Sequence, residues 1–301
     1  MRRLEAESRA IDENSLFGPL PPAKIFLTHD VDALDKTLQI RLKQSLFELF
    51  NVIRFTKAGR FSAAIEAFRR GFRIALSRAN YYFLDEVAGI ASTTGLDTIF
   101  YFHSRKLRRS LKEWLIDPSY YATDERIVNF FRSKSNQGFI FGLHPSFNSW
   151  RSVSRLRAER EILQTALRAR VTHVRQHWLQ FSWEKTPAVQ ADAGLTHDST
   201  VGFNDRSGFR CGAALVYRPW DVTRNSASKI ECIPLVLMDS HLYSYRAMDR
   251  IERIASMTAY VREIHAVRGA AAVLWHPHTL ASDYAWGEGY GDLINILASQ
   301  S

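Results

Sequence analysis

Seven short segments rich in β-branched and aromatic residues recur along the chain, and helical or loop sequence separates each from the next. They lie at residues 24–35, 96–105, 138–147, 171–181, 194–203, 231–243 and 270–279. Segments of this length and composition are typical of buried strands. Strands that alternate with helices favour parallel βα units, such as those of a βα barrel. We therefore predict an α/β fold with about seven parallel strands.

The chain of 301 residues has neither an internal repeat nor a linker long enough to divide it. Barrels of the α/β class often hold this length as one domain. We predict an N-terminal extension over residues 1–23, followed by a single domain over residues 24–301. Residues 36–94 have helical patterning and follow the first strand directly, so they are predicted to form a helical insert.

The formal net charge is +9, and much of the excess lies in residues 54–78. Arginines alternate there with apolar residues at helical spacing, which indicates amphipathic helices with a solvated basic face. The alternative is a surface that docks on anionic lipid head groups or on a polyanion. The segment contains no recognisable nucleic-acid-reading module, so we expect no nucleic-acid partner.

The N-terminus lacks the apolar region of a signal peptide, and no window approaches the length of an apolar membrane span. The two cysteines, Cys211 and Cys232, are too few for a disulfide framework. These features predict a cytoplasmic location, with the inner membrane surface as the alternative site of action.

Histidine is concentrated in the predicted strands. Nine of the ten histidines lie inside them or at their carboxyl ends: His29, His103, His144, His173, His177, His197, His241, His276 and His278. The carboxyl ends of the strands form the active-site face of a βα barrel. A single histidine on a strand is more often a packing residue, but the joint pattern favours a metal or acid–base site.

The first strand runs directly into "THDVD". Asp30 and Asp32 are two residues apart, so in an extended segment both carboxylates point the same way. One can then bind a divalent metal while the other removes a proton from water. The alternative is a turn or a helix N-cap, where Asp is common, although that explains only one of the two.

Four further residues are candidates for the same site. His144 follows a predicted strand, and His276 ends a hydrophobic strand as a possible general acid. Arg175 and Asp198 are charges in strand contexts, where each needs a partner of opposite charge. Together these residues are predicted to form one interlocked site.

The order of these motifs resembles the polysaccharide deacetylase superfamily, the NodB homology or carbohydrate esterase family 4-like group, over roughly residues 24–280. The resemblance is carried by "THDVD", "DTIFYFH", "HPSFN", "RQHWLQF", "DST" and "LWH". It implies a distorted (β/α) barrel. The longer forms "GLHPSF", "RQHWLQF", "DSTVGF" and "GFRCG" look more like a bacterial subgroup associated with surface-polysaccharide and O-antigen biosynthesis than like secreted chitin deacetylases.

The resemblance also implies a role for each motif residue. Asp30 matches the catalytic base, and Asp32 and His144 match metal ligands. Arg175 matches the residue that orients the base, Asp198 the acid that orients the catalytic histidine, and His276 the histidine that protonates the leaving amine. The implied cofactor is zinc or another divalent metal such as cobalt.

One position departs from the pattern of the superfamily. Asn148 stands where a second metal-binding histidine is expected. An amide oxygen can bind a divalent ion, but imidazole suits zinc better. With Asn148 as a ligand we expect weaker metal binding or the recruitment of another ligand, for which His177, His241 and His278 are the candidates.

The predicted function is metal-dependent removal of an N-acyl group, acetyl or formyl, from a sugar during surface-polysaccharide or O-antigen biosynthesis. The predicted partner is the substrate, an N-acylated sugar or glycan. Anionic and lipid-linked forms of this substrate are both compatible with the sequence. Two alternatives stay open: hydrolysis of another C–N bond, such as an amide or imide, and a metal-poor, non-catalytic member that binds glycan or scaffolds an assembly.

Overall fold

The structure is a computed structural model that describes residues 2–12, 15, 19, 21–104 and 110–299. Arg105, at the end of the second predicted strand segment, lies outside the described residues, as does part of the predicted N-terminal extension. Among the described residues, no helix is long and apolar enough to cross a membrane.

Eight parallel strands form the main sheet, and two more form a separate antiparallel pair. In chain order the strands are β1 (Lys24–Val31), β2 (Thr98–Phe102), β3 (Ile140–Leu143), β4 (His173–Val174), β5 (His197–Asp198), β6 (Trp220–Asp221), β7 (Ser226–Ala227), β8 (Glu231–Cys232), β9 (Leu235–Met238) and β10 (Ala270–Leu274). The order in the main sheet is β8-β5-β4-β3-β2-β1-β10-β9, and β6 pairs with β7.

The sheet is curled. The hydroxyls of Tyr101 on β2 and Ser199 just after β5 lie 2.6 Å apart, although β3 and β4 separate those strands. In a flat sheet three strand spacings would hold them roughly 14 Å apart. The observed contact therefore requires the sheet to close on itself.

Residues 231–238 connect the two edges of the curled sheet. β8 pairs with β5 at one edge, and β9 pairs with β10 at the other. Only Ile233 and Pro234 separate β8 from β9, and Pro234 has no backbone N–H to continue a ladder. The eight strands are thus seven runs of chain, and the predicted α/β barrel of about seven parallel strands is confirmed.

Alternation along the strands divides the apolar residues between two cores. Phe26, Tyr101 and Leu274 lie in the cluster inside the barrel. Leu27 and Phe100 belong to the larger cluster between the barrel and the helices. Along β1, the side chains that alternate in step with Phe26 therefore point into the barrel, as do those in step with Tyr101 on β2 and Leu274 on β10.

Ten α-helices are described. They are α1 (Arg2–Arg9), α2 (Leu38–Lys57), α3 (Phe61–Leu76), α4 (Leu84–Ser92), α5 (Leu111–Ile116), α6 (Glu125–Lys134), α7 (Val153–Leu167), α8 (Thr186–Asp192), α9 (Arg250–Ala266) and α10 (Gly287–Ala298). Capping boxes at Ser110 and Asp249 begin α5 and α9. Short 3₁₀ turns cover Ser149–Arg151, His177–Leu179 and Pro277–Leu280, and a π turn covers His241–Tyr245.

Three of these helices, α2, α3 and α4, occupy the segment predicted to be a helical insert. α2 and α3 pack as an antiparallel hairpin, in which the Arg70 guanidinium makes two hydrogen bonds of 2.7 Å to the Glu48 carboxylate. Gly71 allows this close approach, because a Cβ there would lie 3.0 Å from Glu48 Cβ. We call α2 and α3 the hairpin below.

Candidate active site

The carboxyl ends of the barrel strands bring most of the predicted site residues together. Asp30 and Asp32 lie at the end of β1, His144 directly follows β3, Arg175 directly follows β4, and His276 is two residues beyond β10. Strand parity turns Asp30 to the interior, on the same side as Phe26. The carboxyl-terminal edge of the barrel therefore brings the carboxylates of Asp30 and Asp32 close to the imidazoles of His144 and His276.

Asp32, His144 and His177 form a compact cluster of metal-ligating groups. Asp32 Oδ1 lies 3.4 Å from His144 Nε2 and 3.8 Å from His177 Nε2. The Nδ1 of each imidazole is engaged elsewhere: His144 Nδ1 donates to the Arg175 carbonyl at 2.7 Å, and His177 Nδ1 to Asp117 Oδ1 at 3.0 Å. These bonds leave both Nε2 atoms directed at Asp32.

This donor set fits a divalent cation. Zinc bound tetrahedrally at about 2.0–2.1 Å separates its ligand atoms by roughly 3.3 Å, close to the distances in the cluster. Hydrogen bonds that fix the tautomer and orientation of ligating histidines are typical of metal sites. Asp32 Oδ1 is buried and makes no hydrogen bond of good geometry within the described residues. A cation would supply the partner that this oxygen lacks.

The imidazoles around Asp32 stabilise its ionised form. Burial alone would raise the pKa of Asp32, but the close approach of the His144 imidazole and the nearby His177 and His276 imidazoles hold it well below its ordinary value. The carboxylate is therefore ionised over the whole neutral range, as a metal ligand must be.

Asp30 is held by a buried arginine. Arg175 Nη1 donates to Asp30 Oδ1 at 3.0 Å and to Thr28 Oγ1 at 2.8 Å, and its Nε donates to the Ser199 carbonyl. The other carboxylate oxygen, Oδ2, lies 3.9 Å from His144 Nε2 and thus faces the cluster. The fully buried Arg175 fixes one oxygen of Asp30 and leaves the second beside the cluster.

His276 is paired with Asp239. His276 Nδ1 donates to Asp239 Oδ1 at 2.8 Å, and its backbone N–H donates to Asp239 Oδ2 at 2.9 Å. Burial would lower the pKa of His276, but the carboxylates of Asp239, Asp32 and Asp30 outweigh it and raise the value to about 9. The other nitrogen, Nε2, lies 4.0 Å from Asp32 Oδ2 and so faces the cluster.

Asn148 is hydrogen-bonded to Glu113, which is not part of the cluster. It is half-buried, and its amide nitrogen lies 3.3 Å from Glu113 Oε1, a carboxylate oxygen that also accepts a hydrogen bond from Arg155. The cluster contains His177 instead, one of the three residues named above as a possible additional ligand. His177 reaches it from a strained turn, since Trp178 and Leu179 both have positive φ.

Asp198 also lies away from His276. In the sheet register it pairs with Val174 and Cys232, which both belong to the core outside the barrel. Its Oδ1 accepts hydrogen bonds from Gln190 of α8 and from Thr200. Burial raises the pKa of Asp198 to about 6. The structure therefore places Asp198 on the outer face of β5 and Asp239 beside the histidine.

Two site residues were absent from the sequence analysis. Asp239 directly follows the apolar strand β9. An acid at the end of an apolar run is the same signal that identified Asp30, so the sequence did contain a cue for Asp239. Asp117 lies in the loop after α5, where it accepts from His177 Nδ1 and from the Phe147 backbone. No local pattern distinguishes Asp117 from an ordinary loop residue.

An open cleft exposes the cluster. Its walls come from the strand ends and from the hairpin, and they include Asp30, Lys43, Phe47, Trp178 and Trp286. Lys43 Nζ donates to the Ile116 carbonyl at 3.1 Å. Burial lowers the pKa of Lys43, although Asp32 and Asp117 oppose the shift. The cleft thus combines aromatic side chains with Lys43, which lies near the cluster of Asp32, His144 and His177.

No profile of a known protein family matches the sequence, and no curated protein matches it. Solved structures with similar folds include one described as a polysaccharide deacetylase from Mycobacterium smegmatis, at 14% identity and a TM-score of 0.49, covering 93% of this chain and 87% of that one. A mutant CE4 family pseudoenzyme with restored enzymatic activity is 11% identical, with a TM-score of 0.44 and coverage of 94% and 65%.

A third similar structure is a GH57 branching enzyme from Thermococcus kodakaraensis, at 10% identity and a TM-score of 0.37, covering 92% of this chain and 68% of that one. Every one of these TM-scores is below 0.5. None of the three neighbours therefore assigns an activity to this chain.

Proposed function

We propose that this protein is a metal-dependent hydrolase that removes an N-acyl group, acetyl or formyl, from a sugar in bacterial surface-polysaccharide or O-antigen biosynthesis. The observation that carries the reaction type is the cluster of Asp32, His144 and His177 with two further groups facing it: the Asp30 carboxylate and the Asp239-paired His276. Amide hydrolysis needs a base for the attacking water and an acid for the leaving amine. The sugar and the pathway rest on the motif resemblance.

Asp32, His144 and His177 are the residues that would hold the metal, with zinc as the preferred ion for this mixed donor set. When bound there, the cation supplies Lewis acidity that polarises a carbonyl oxygen and makes water more acidic. Asp30 and His276 lie outside the three ligands, so both remain available for proton transfer.

Asp30 is assigned as the general base. Arg175 holds its Oδ1, and its Oδ2 faces the cluster within 3.9 Å of His144 Nε2. A water molecule between Asp30 and the substrate carbonyl would lose its proton to Oδ2. Because Arg175 and Thr28 are buried with Asp30, the position of the carboxylate is fixed before substrate binds.

His276 is assigned as the general acid. Its raised pKa of about 9 keeps it protonated at neutral pH, and Asp239 holds its Nδ1 so that Nε2 faces the cluster. Nε2 would donate its proton to the departing amine nitrogen as the C–N bond breaks. Asp30 and His276 thus divide the base and acid roles.

A non-catalytic role was motivated by Asn148, because an amide in place of a histidine weakens a metal site. His177 supplies an imidazole to the cluster. This imidazole supports hydrolysis over a binding or scaffolding role, and hydrolysis is the function that we propose. Hydrolysis of another C–N bond would use the same residues and differs only in the substrate.

Asp30→Asn tests the assignment of the base. We expect this variant to lower kcat for deacylation by roughly 10²–10⁴-fold, the contribution typical of a positioned general base, because the amide cannot accept the proton. Acetate and free amine released from N-acetylated sugars, nucleotide sugars and glycan oligomers measure the rate. Asp97→Asn is the matched control, since Asp97 is an exposed carboxylate paired with Lys24.

Circular dichroism would establish that Asp30→Asn keeps its fold. Wild-type turnover in a folded Asp30→Asn variant would contradict the assignment of Asp30 as the base. Loss of turnover in the control Asp97→Asn would show that an Asp→Asn substitution can abolish activity from outside the site, and would remove the support that Asp30→Asn gives.

A further inference from the structure

The outer side of α2 is apolar and exposed. Side chains that recur every three or four residues along a helix lie on one side of it. On α2 these are Leu38, Leu42, Leu46, Leu49, Phe50 and Ile53, each between 44% and 67% exposed. The opposite side of the same helix packs inward through Ile40, Asn51 and Phe55.

α3 repeats the pattern. Phe61, Ile65, Phe68, Phe72 and Leu76 are all more than half exposed, while Ala64, Ala67, Arg70 and Ile74 are buried. Both helices of the hairpin therefore have an inner side that packs and an apolar outer side that is exposed. We call these eleven exposed side chains of α2 and α3 the outer face.

Large exposed apolar faces on soluble domains mark interaction surfaces. The charge of the hairpin indicates what the outer face meets. Residues 38–78 contain nine Lys or Arg residues and only two acids, Glu48 and Glu66, so they carry a net charge of +7. Glu48 is buried against Arg70, which leaves Glu66 as the exposed acid.

Exposed basic residues accompany the apolar ones. Lys57, Arg69 and Arg78 are exposed and form no ion pair within the described residues. Helices with Phe and Leu on one side and Lys and Arg beside it bind in the interface of anionic membranes, with the apolar side chains below the head groups. A second copy of the chain would instead bring one segment 38–78, of charge +7, against another.

We propose that the hairpin is a membrane-docking element, whose outer face inserts into the surface of an anionic phospholipid bilayer. The inference does not depend on the reaction assigned to the cleft. Lys43 and Phe47 on the inner side of α2 line the cleft, so docking would hold the cleft within about one helix diameter of the bilayer.

Vesicle co-sedimentation of the full chain tests this proposal. We expect the protein to sediment with phosphatidylcholine vesicles that contain phosphatidylglycerol, to bind pure phosphatidylcholine more weakly, and to dissociate as salt is raised. Phe68→Ser with Phe72→Ser should lower the partition coefficient by about tenfold or more, because partitioning scales with the apolar area inserted.

Val222→Ser with Ile251→Ser is the matched control, since these side chains are 81% and 80% exposed and lie outside the hairpin. It should bind vesicles as the wild type does. The proposal is overturned if the wild type fails to sediment with anionic vesicles, if both double variants bind equally, or if the protein is a dimer that Phe68→Ser with Phe72→Ser converts to monomer. The last result would identify a second copy as the occupant.

Discussion

Asp239 controls when His276 can act as an acid. The pKa of an ordinary histidine is 6.5, and the carboxylates around His276 raise it to about 9. A general acid must be protonated, so its contribution to the rate is lost as pH rises through that pKa. The proposed mechanism therefore predicts activity that persists above neutral pH and falls near pH 9.

Asp239→Asn should shift this alkaline limit downward. The substitution keeps a hydrogen-bond acceptor beside His276 Nδ1 but removes the negative charge, so the pKa of His276 moves back toward its ordinary value. We expect kcat to fall by roughly 10²-fold or more, as when an orienting carboxylate is removed from a catalytic histidine. The pH profile of kcat/KM measures the shift, and an unchanged alkaline limb would contradict the role of Asp239.

At the residue scale, the sequence was most informative where a long strand precedes the site. β1 has eight residues, and its apolar run of Ile25, Phe26 and Leu27 indicates a buried strand that carries Asp30 to its carboxyl end. β5 has two residues, and nothing in the sequence indicates that Asp198 points out of the barrel. His177 depends on a turn with positive φ at Trp178 and Leu179, which non-glycine residues rarely adopt.

A buried ion pair joins the two helices of the hairpin. The side chains of Glu48 and Arg70 are 2% and 6% exposed, and two parallel hydrogen bonds join them. Two buried charges pair at little net gain, but removal of one leaves the other without a counter-charge in a poorly solvated place. Breaking the pair should therefore change the free energy of unfolding much more than the intact pair contributes to it.

Glu48→Gln should lower the free energy of unfolding by about 3–5 kcal/mol, the cost of breaking a buried pair. Urea denaturation followed by circular dichroism measures the change. Glu66→Gln in the same hairpin is the matched control, because the Glu66–Arg73 pair is about half exposed on both sides. Its loss should cost at most about 1 kcal/mol. Equal costs for the two variants would contradict the account of the hairpin.

At the element scale, every predicted strand segment contains a strand of the barrel. Their composition, rich in β-branched and aromatic residues, was sufficient for that prediction. The division of 231–238 into β8 and β9 depends on Pro234, whose effect is visible only once both edges of the sheet are known. The small pair of β6 and β7 was not predicted, since its exposed two-residue strands have no apolar pattern.

At the scale of the whole molecule, the barrel places residues from distant parts of the chain in one cluster. Asp32, His144 and His177 follow three different strands, and each imidazole is oriented by a hydrogen bond to a residue of another segment. A cation bound there would link these segments and should stabilise the folded state. The geometry of the structure assigns His177 as the third ligand, whereas the motif pattern of the sequence assigns Asn148, so identifying this ligand distinguishes the two.

The most direct test is elemental analysis of the purified protein together with two variants, His177→Ala and Asn148→Ala, with folding checked by circular dichroism. The structure predicts near-stoichiometric zinc or a similar divalent ion in the wild type and in Asn148→Ala, and strongly reduced metal in folded His177→Ala. Metal that is lost in Asn148→Ala but retained in His177→Ala would contradict the proposed centre, as would a wild type that binds no metal after incubation with zinc or cobalt.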